Sequence, residues 1–267
     1  MPPSPLRPDR FRPAARIRVA GVRVCQGVRQ QWPRFAQFVL PNRCSLCGNL
    51  SQTTLCAACD AAYWNEPRLR CAVCAAPLNG SWRTAARGYR CSDCAEAPPP
   101  FDATLTLADY RAPLDLLARR LKFRARVALG HEFALRLARA ATDALDPADP
   151  PDLIAPVPLS RRRLIERGYN QAWQIAKPLA RALHVRADAT LARRIAHTAP
   201  QSRLDRETRR RNVAGAFAVT KPVRGLHVAV VDDVMTSGAT LEALARTLKT
   251  AGARRVTNFV ALRTPKT

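Results

Sequence analysis

Two acids stand side by side at Asp232 and Asp233, directly after the apolar run Val228-Ala-Val-Val231 and two apolar residues before Thr236-Ser-Gly-Ala-Thr240. The apolar run has the length of a buried parallel strand, and the residues from about Thr240 to Thr250 have the spacing of an amphipathic helix. A strand feeding a helix through a loop of small residues is half of a βαβ unit, and ligands in such sheets sit at the carboxyl ends of strands. Loop N–H groups and the first helical turn lack intrahelical partners, point the same way and attract an anion. Gly238 lets the backbone approach a phosphate, Ala239 keeps the loop small, and Thr236, Ser237 and Thr240 add hydroxyl donors. Paired carboxylates next to a phosphate repel it unless they face something else. A sugar phosphate satisfies both: the loop takes the phosphate and the acids accept hydrogen bonds from sugar hydroxyls. A Mg2+ shared with a pyrophosphate offsets the remaining charge. The bland alternative is an ordinary strand end with an Asp helix cap.

A second chemistry lies upstream. Eight of the nine cysteines form four C-x2-C pairs, Cys44/Cys47, Cys56/Cys59, Cys71/Cys74 and Cys91/Cys94, with Cys25 outside them. A C-x2-C knuckle turns two thiolates toward one point, and two knuckles complete a tetrahedral Zn2+ shell. The count predicts two structural zinc sites. Sequential pairing of the knuckles is the simplest arrangement, and interleaved pairing stays open. A disulfide framework needs an oxidising compartment, for which there is no secretory signal. A segment of ~50 residues with little core needs such staples. Trp64, Trp82 and Tyr89 lie between knuckles, placed to pack a thin core around the metal or to stack on bases.

The elements that must position these groups follow in order. Residues 1–40 are rich in Pro and Arg with Asp9 as the sole acid, and read as a basic, disordered arm. A membrane-surface helix, an organelle transit peptide or translated sequence upstream of a true start are the other readings. Residues 41–97 form the cysteine-rich unit, Ala97-Pro-Pro-Pro-Phe101 is a stiff break, and 101–267 form the second domain. Asp102–Asp109 alternates like a strand; Ala112–Arg124 and Val127–Leu145 have helical spacing. Leu153–Val157 is a second buried strand, followed by Ser160, which can cap a turn, and by Arg161, Arg162, Arg163 and Arg167. A basic turn there can hold a pyrophosphate, although three consecutive arginines cannot all reach one ligand. The polar loop His197–Leu204 leads into Asp205–Val213, a basic segment suited to be a lid. Val256–Leu262 is the last strand.

The chain of 267 residues carries 44 Lys and Arg against 20 Asp and Glu, a net charge of +24. Such an excess points to a polyanion partner. Arg outnumbers Lys 39 to 5, which a GC-rich genome produces by itself, but base composition does not explain the shortage of acids. No apolar run approaches the ~20 residues of a transmembrane span.

The stretch from Val228 to Thr240 resembles the signature of type I phosphoribosyltransferases, four apolar residues, two acids, two apolar and T-x-G-x-T. With the knuckles, Ala108-Asp-Tyr110, Leu121-Lys-Phe123, Pro156-Val-Pro158, Arg167-Gly-Tyr-Asn-Gln171, Gln201 and Asn212, the chain resembles the ComF family over residues 44–263. Tyr169 stands where that family often has Phe. The resemblance implies an α/β phosphoribosyltransferase fold, a mostly parallel sheet flanked by helices, preceded by a double zinc ribbon. It implies phosphoribosyl pyrophosphate (PRPP) with Mg2+ as ligand and a cytoplasmic role in natural competence, with single-stranded DNA and other competence proteins as partners. The expected ribose and phosphate contacts are Asp232, Asp233, Thr236, Ser237, Gly238, Ala239 and Thr240, with Ser160 and Arg161 at the pyrophosphate. Asp232, Asp233 and Arg167 are the expected catalytic groups. A non-catalytic protein that senses PRPP or binds single-stranded DNA is the alternative, and the acceptor is not legible.

Overall fold

A computed structural model describes residues 42–64, 69–78, 89–124, 126–195 and 215–265. The basic arm, Cys25, Trp82, the 197–204 loop and the expected lid at 205–213 lie outside the described residues. Two short strands, β1 (Asn42–Arg43) and β2 (Leu50–Ser51), pair beside the first knuckle. The helices α1 (Ala57–Tyr63) and α2 (Ser92–Glu96) each start immediately after a cysteine, Cys56 and Cys91. Each cysteine cluster is therefore a knuckle turn facing a helix start.

After Pro100 come β3 (Ala103–Asp109), α3 (Asp115–Phe123), α4 (Val127–Ala144), β4 (Leu153–Pro156), α5 (Arg161–Arg167), α6 (Gln171–Ala182) and β5 (Arg186–Ala187). A small antiparallel ribbon of β6 (Ala192–Arg194) and β7 (Phe217–Val219) precedes β8 (His227–Met235), α7 (Ala239–Thr250) and β9 (Arg255–Arg263). The five long-range strands pair in the order β3-β9-β8-β4-β5, all parallel. The last strand in sequence is thus interior, between β3 and β8. Its residues after Arg255 are all buried, as a strand covered on both faces requires.

One face of the sheet is covered by α7, through Leu241, Leu244 and Leu248, and by Phe217, Phe101 and the second cysteine cluster. The other is covered by α3, α4 and α6 and by the first cluster. Leu117, Leu121, Leu129, Phe133, Leu137, Ile175 and Leu179 are completely buried there, each stabilising by roughly 1.5–3 kcal/mol. Trp64 packs in the apolar cluster of the first cysteine group, as expected, and joins it to the helices of the second domain. Its ring meets Phe133 of α4 edge-on at 6.1 Å, and Arg136 stacks over it at 4.8 Å. Arg136 also pairs with Asp60, and Arg120 donates to the Ser45 carbonyl, so the first cluster docks on α3 and α4. At the second, Arg70 pairs with the buried Asp109 at 2.8 Å.

The chain runs from β4 to β5 toward one edge and from β8 to β9 toward the other. The carboxyl ends of β4 and β8 therefore flank the switch point where connections diverge and leave a crevice. Pro156 of β4 pairs with Val231, so Asp232 and Asp233 project just beyond the end of β4.

Candidate functional site and metal centres

The two acids stand side by side at the end of β8 and differ in burial. Asp233 is buried, 2% exposed, and faces α3 and α6; Asp232 is half-buried. Asp232 accepts the Asp233 backbone N–H at 2.9 Å. Asp233 Oδ1 receives a long bond of 3.5 Å from the Gln171 amide, while its Oδ2 accepts no hydrogen bond and has the Lys122 ammonium at 3.9 Å. Burial, and then the Asp233 charge, push the Asp232 carboxyl well above its ordinary range; Lys122 pulls it back only in part. The pair is therefore short of hydrogen-bond donors. Its unfilled hard-oxygen ligands suit a divalent cation or sugar hydroxyls.

The stretch Arg167–Gln171 builds one wall, and each residue has a separate task. Gly168, at φ 74°, ends α5 in the left-handed conformation that glycine adopts freely. Tyr169 donates its hydroxyl to the Leu121 carbonyl, tying this stretch to the one that carries Lys122. Asn170 caps α6 through the Ala172 N–H at 2.9 Å and holds the Val157 carbonyl at 3.0 Å. Gln171 relays between Arg167, at 3.0 Å, and Asp233. Tyr169 in place of Phe therefore adds a hydrogen bond that Phe cannot make.

A cavity of about 240 Å³ lies over the acids, lined by Lys122 and Tyr110, by Arg163, Arg167 and Gln171, by Arg194 from β6, and by Thr236 and Thr240. Burial lowers the Arg167 and Arg194 guanidinium pKa values, but arginine starts so far above neutrality that both stay cationic, in a partly desolvated place where an anion gains most from them. Arg167 also stacks over Phe123 at 5.6 Å and Arg194 over Phe217 at 5.6 Å.

Of the expected contacts, Asp232, Asp233, Arg167, Thr236 and Thr240 meet in this cavity. Ser160 caps α5 through the Arg163 N–H at 3.4 Å. The three consecutive arginines form the first turn of that helix and so diverge. Arg163 lines the cavity over the acids, Arg162 pairs with Glu166 at 2.7 Å on the surface, and Arg161 lines an adjoining groove with Leu164 and Trp173. Gly238 stands at φ 89° before α7, and a Cβ there would lie 2.7 Å from Met235 Cε. Ser237 receives the Ala239 N–H at 3.4 Å and lines a cavity on the far side of the loop; Ala239 is buried. Lys122, Tyr110, Gln171 and Arg194 join the site without having been singled out for it. The first three lie within stretches that carry the family resemblance, whereas Arg194 has no signal among 39 arginines.

The cysteines resolve the pairing question. Cys44, Cys47, Cys56 and Cys59 form one group and Cys71, Cys74, Cys91 and Cys94 the other, each with all sulfurs within 4.8 Å of one another. A tetrahedral zinc shell with Zn–S of ~2.3 Å has a sulfur–sulfur edge of ~3.8 Å. The Cys47–Cys56 and Cys74–Cys91 sulfur separations are 3.7 and 3.6 Å, so both groups fit that ion. Burial raises the Cys44 thiol, but the N–H groups of Cys56, Leu46 and Cys47 outweigh it and bring it to about 6; Cys71 falls to about 7 for the same reason. Burial and neighbouring sulfurs push Cys59 up to about 12 and Cys94 higher still. A cluster that ionises some thiols and suppresses others is one that a dication completes.

Comparison with known proteins agrees. Residues 35–97 match the double zinc ribbon domain family and residues 170–267 the phosphoribosyl transferase domain family. The chain is 35% identical over 234 residues to the DNA utilization protein YhgH of Escherichia coli O157:H7, covering 84% of this chain and 98% of that one. It is 32% identical over 224 residues to competence protein F of Haemophilus influenzae, covering 80% and 93%. Among solved structures it overlaps the purine phosphoribosyltransferase of Pyrococcus horikoshii at 18% identity and a TM-score of 0.30, over 50% of this chain and 80% of that one. No helix among the described residues is long and apolar enough to cross a membrane. A double zinc ribbon with two four-cysteine clusters, a parallel-sheet phosphoribosyltransferase domain and relatives that match nearly end to end place this chain in the ComF family of competence and DNA-utilization proteins.

Proposed function

We propose that the crevice at the ends of β4 and β8 binds PRPP with Mg2+ and that the protein uses it in handling DNA in the cytoplasm. The observation that carries this reading is the under-satisfied Asp232–Asp233 pair, with Asp233 Oδ2 buried and accepting no hydrogen bond, beside a glycine loop at the N-terminus of a twelve-residue helix. The Thr236–Thr240 loop and the first turn of α7 take the 5′-phosphate. Asp232 and Asp233 accept the ribose hydroxyls and hold the cation, which when bound supplies charge neutralisation to the pyrophosphate. Arg163 and Arg167, from the cavity side of α5, take pyrophosphate oxygens, and Arg194 closes the anion side opposite. Ser160 acts by fixing the first turn of α5. Opening of the C1–pyrophosphate bond builds negative charge where these arginines stand, so the same groups that bind would lower the barrier to transfer.

A calorimetric titration with PRPP and Mg2+, with pyrophosphate release followed in the same sample, tests this. Micromolar-range binding that is lost without Mg2+ is expected. Binding with steady release on adding an acceptor identifies a transferase, binding without release identifies a sensor, and no binding overturns the site. The second reading, a single-stranded DNA-binding protein that does not turn PRPP over, is favoured by the net charge of +24 and by the names of the relatives. It predicts DNA affinity that falls steeply with salt.

A further inference from the structure

Arg263 is the largest fully buried side chain among the described residues, 1% exposed at the end of β9. Burying a guanidinium is costly unless its donors are satisfied. Here they reach two parts of the molecule that are far apart in sequence. Nε donates to the Cys74 carbonyl at 3.1 Å, within the second cysteine cluster. One terminal nitrogen donates to the carbonyls of Met235, at 3.0 Å, Thr264, at 2.8 Å, and Thr236, the first residue of the phosphate loop.

The loop has little slack against this strut. A Cβ on Gly238 would lie 2.7 Å from Met235 Cε, so the Met235 side chain packs closely against the loop's glycine. Ser237 faces the cluster across a cavity of about 190 Å³ that Cys74, Cys94 and Arg263 also line. The first cluster is joined elsewhere, to α3 and α4 through Arg120 and Arg136. The two metal centres thus stand in different relations to the site.

We infer that Arg263 is a positioning residue for the Thr236–Thr240 loop, anchored on the second four-cysteine centre, so that metal occupancy of that centre and not of the first sets the order of the loop and its share of the phosphate affinity. This makes the ribbon a support that tunes the site, and in its affinity arm it rests on the PRPP reading above.

The test is amide hydrogen exchange on full-length protein without ligand, together with PRPP–Mg2+ titration. It compares wild type, Cys91→Ser, Cys44→Ser and Arg263→Lys, with zinc content measured for each. Exchange in Thr236–Thr240 should rise about tenfold in Cys91→Ser and Arg263→Lys, with PRPP affinity falling by about the same factor, the scale of one lost buried hydrogen-bond anchor, and loop exchange should stay within about twofold of wild type in Cys44→Ser. Exchange in Val228–Val231 reports global unfolding within the same molecule, so a general loss of stability is recognised by both segments changing together. Equal loop exchange in Cys91→Ser and Cys44→Ser, or a wild-type loop in Arg263→Lys, overturns the inference. The expected exchange pattern in a protein that binds no PRPP leaves the coupling standing and removes the PRPP reading instead.

Discussion

The two ends of β8 carry the same kinds of residue in opposite states. At its start His227 is fully buried, with Nε2 on the Thr257 hydroxyl at 2.8 Å, Nδ1 at the Asp149 carbonyl at 3.2 Å and its backbone N–H on Asp152 at 2.7 Å. Asp149 beside it takes Arg254 at 2.8 Å and Arg255 at 2.7 Å. The bond from Arg254, outweighing the upward push of burial, and then that from Arg255 hold its carboxyl at about 2. At the other end Asp232 and Asp233 are crowded together, and Asp232 is pushed the other way. A carboxylate with every partner in place stabilises a fold. One left short of partners in a cavity costs stability and is available to a ligand. The acids beside the start of β8 have their partners in place, and those at its switch-point end do not.

Replacing both acids, Asp232→Asn with Asp233→Asn, should produce the largest effect and push the two ends apart. PRPP–Mg2+ affinity should fall at least ~100-fold, the loss of two or more charge-assisted bonds. The melting temperature of the ligand-free protein should stay level or rise. Asp232 is raised in the folded state, so its favourable contribution is present below the unfolded pKa and is lost as pH rises through the folded one. Ionising Asp232 in the folded state is a burden that Asn relieves. Calorimetry and thermal melts on one preparation decide it, and unchanged affinity would sink the site assignment.

Lys122→Met sharpens the comparison at the upper end. Lys122 is a charge that lowers Asp232, so its removal raises the carboxyl further. Affinity for PRPP–Mg2+, which needs the ionised Asp232 carboxylate, should then fall, most at the acid end of the range. Its pH midpoint should move upward, as titrations across pH 5 to 9 would reveal. A midpoint that stays in place would mean that Lys122 serves the ligand and not the acids.

Asp149→Asn should give the smallest effect and blur the lower end. Loss of hydrogen bonds that solvent partly screens should cost about 1 kcal/mol, lowering the melting temperature by roughly 2–4 °C, with PRPP affinity unchanged. Asp149 is depressed, so its contribution is present above the unfolded carboxylate value and is lost as pH falls through about 2. Melts of wild type and variant should therefore converge between about pH 4 and pH 2. A difference that persists below that window would place the effect in packing and not in charge.

Much of this molecule is written in local chemistry. An apolar run followed by acids and a glycine loop fixes a buried strand, its end and a helix start within a dozen residues, so Asp232, Asp233 and the Thr236–Thr240 loop were legible from spacing alone. The C-x2-C pairs were legible for the same reason, because a knuckle is a local turn. Which knuckle joins which was open until the sulfurs were seen within 4.8 Å of one another in two sequential groups. Arg161 and Arg163 show the limit of composition: a basic stretch predicts anion contact, but the 3.6-residue period of α5 decides that Arg163 and not its neighbour lines the cavity over the acids. Arg194 and Arg263 carry no local mark among so many arginines. Their tasks exist because β6 passes beside the crevice and because β9 inserts between β3 and β8, ending against both the second cysteine cluster and the loop. The sequence alone determined the strand, the loop, the metal-binding knuckles and the family, since each is specified by residues adjacent along the chain. Strand order, the side of a helix and the partner of a buried guanidinium were decided only in the tertiary structure, because they depend on packing between segments that spacing does not relate.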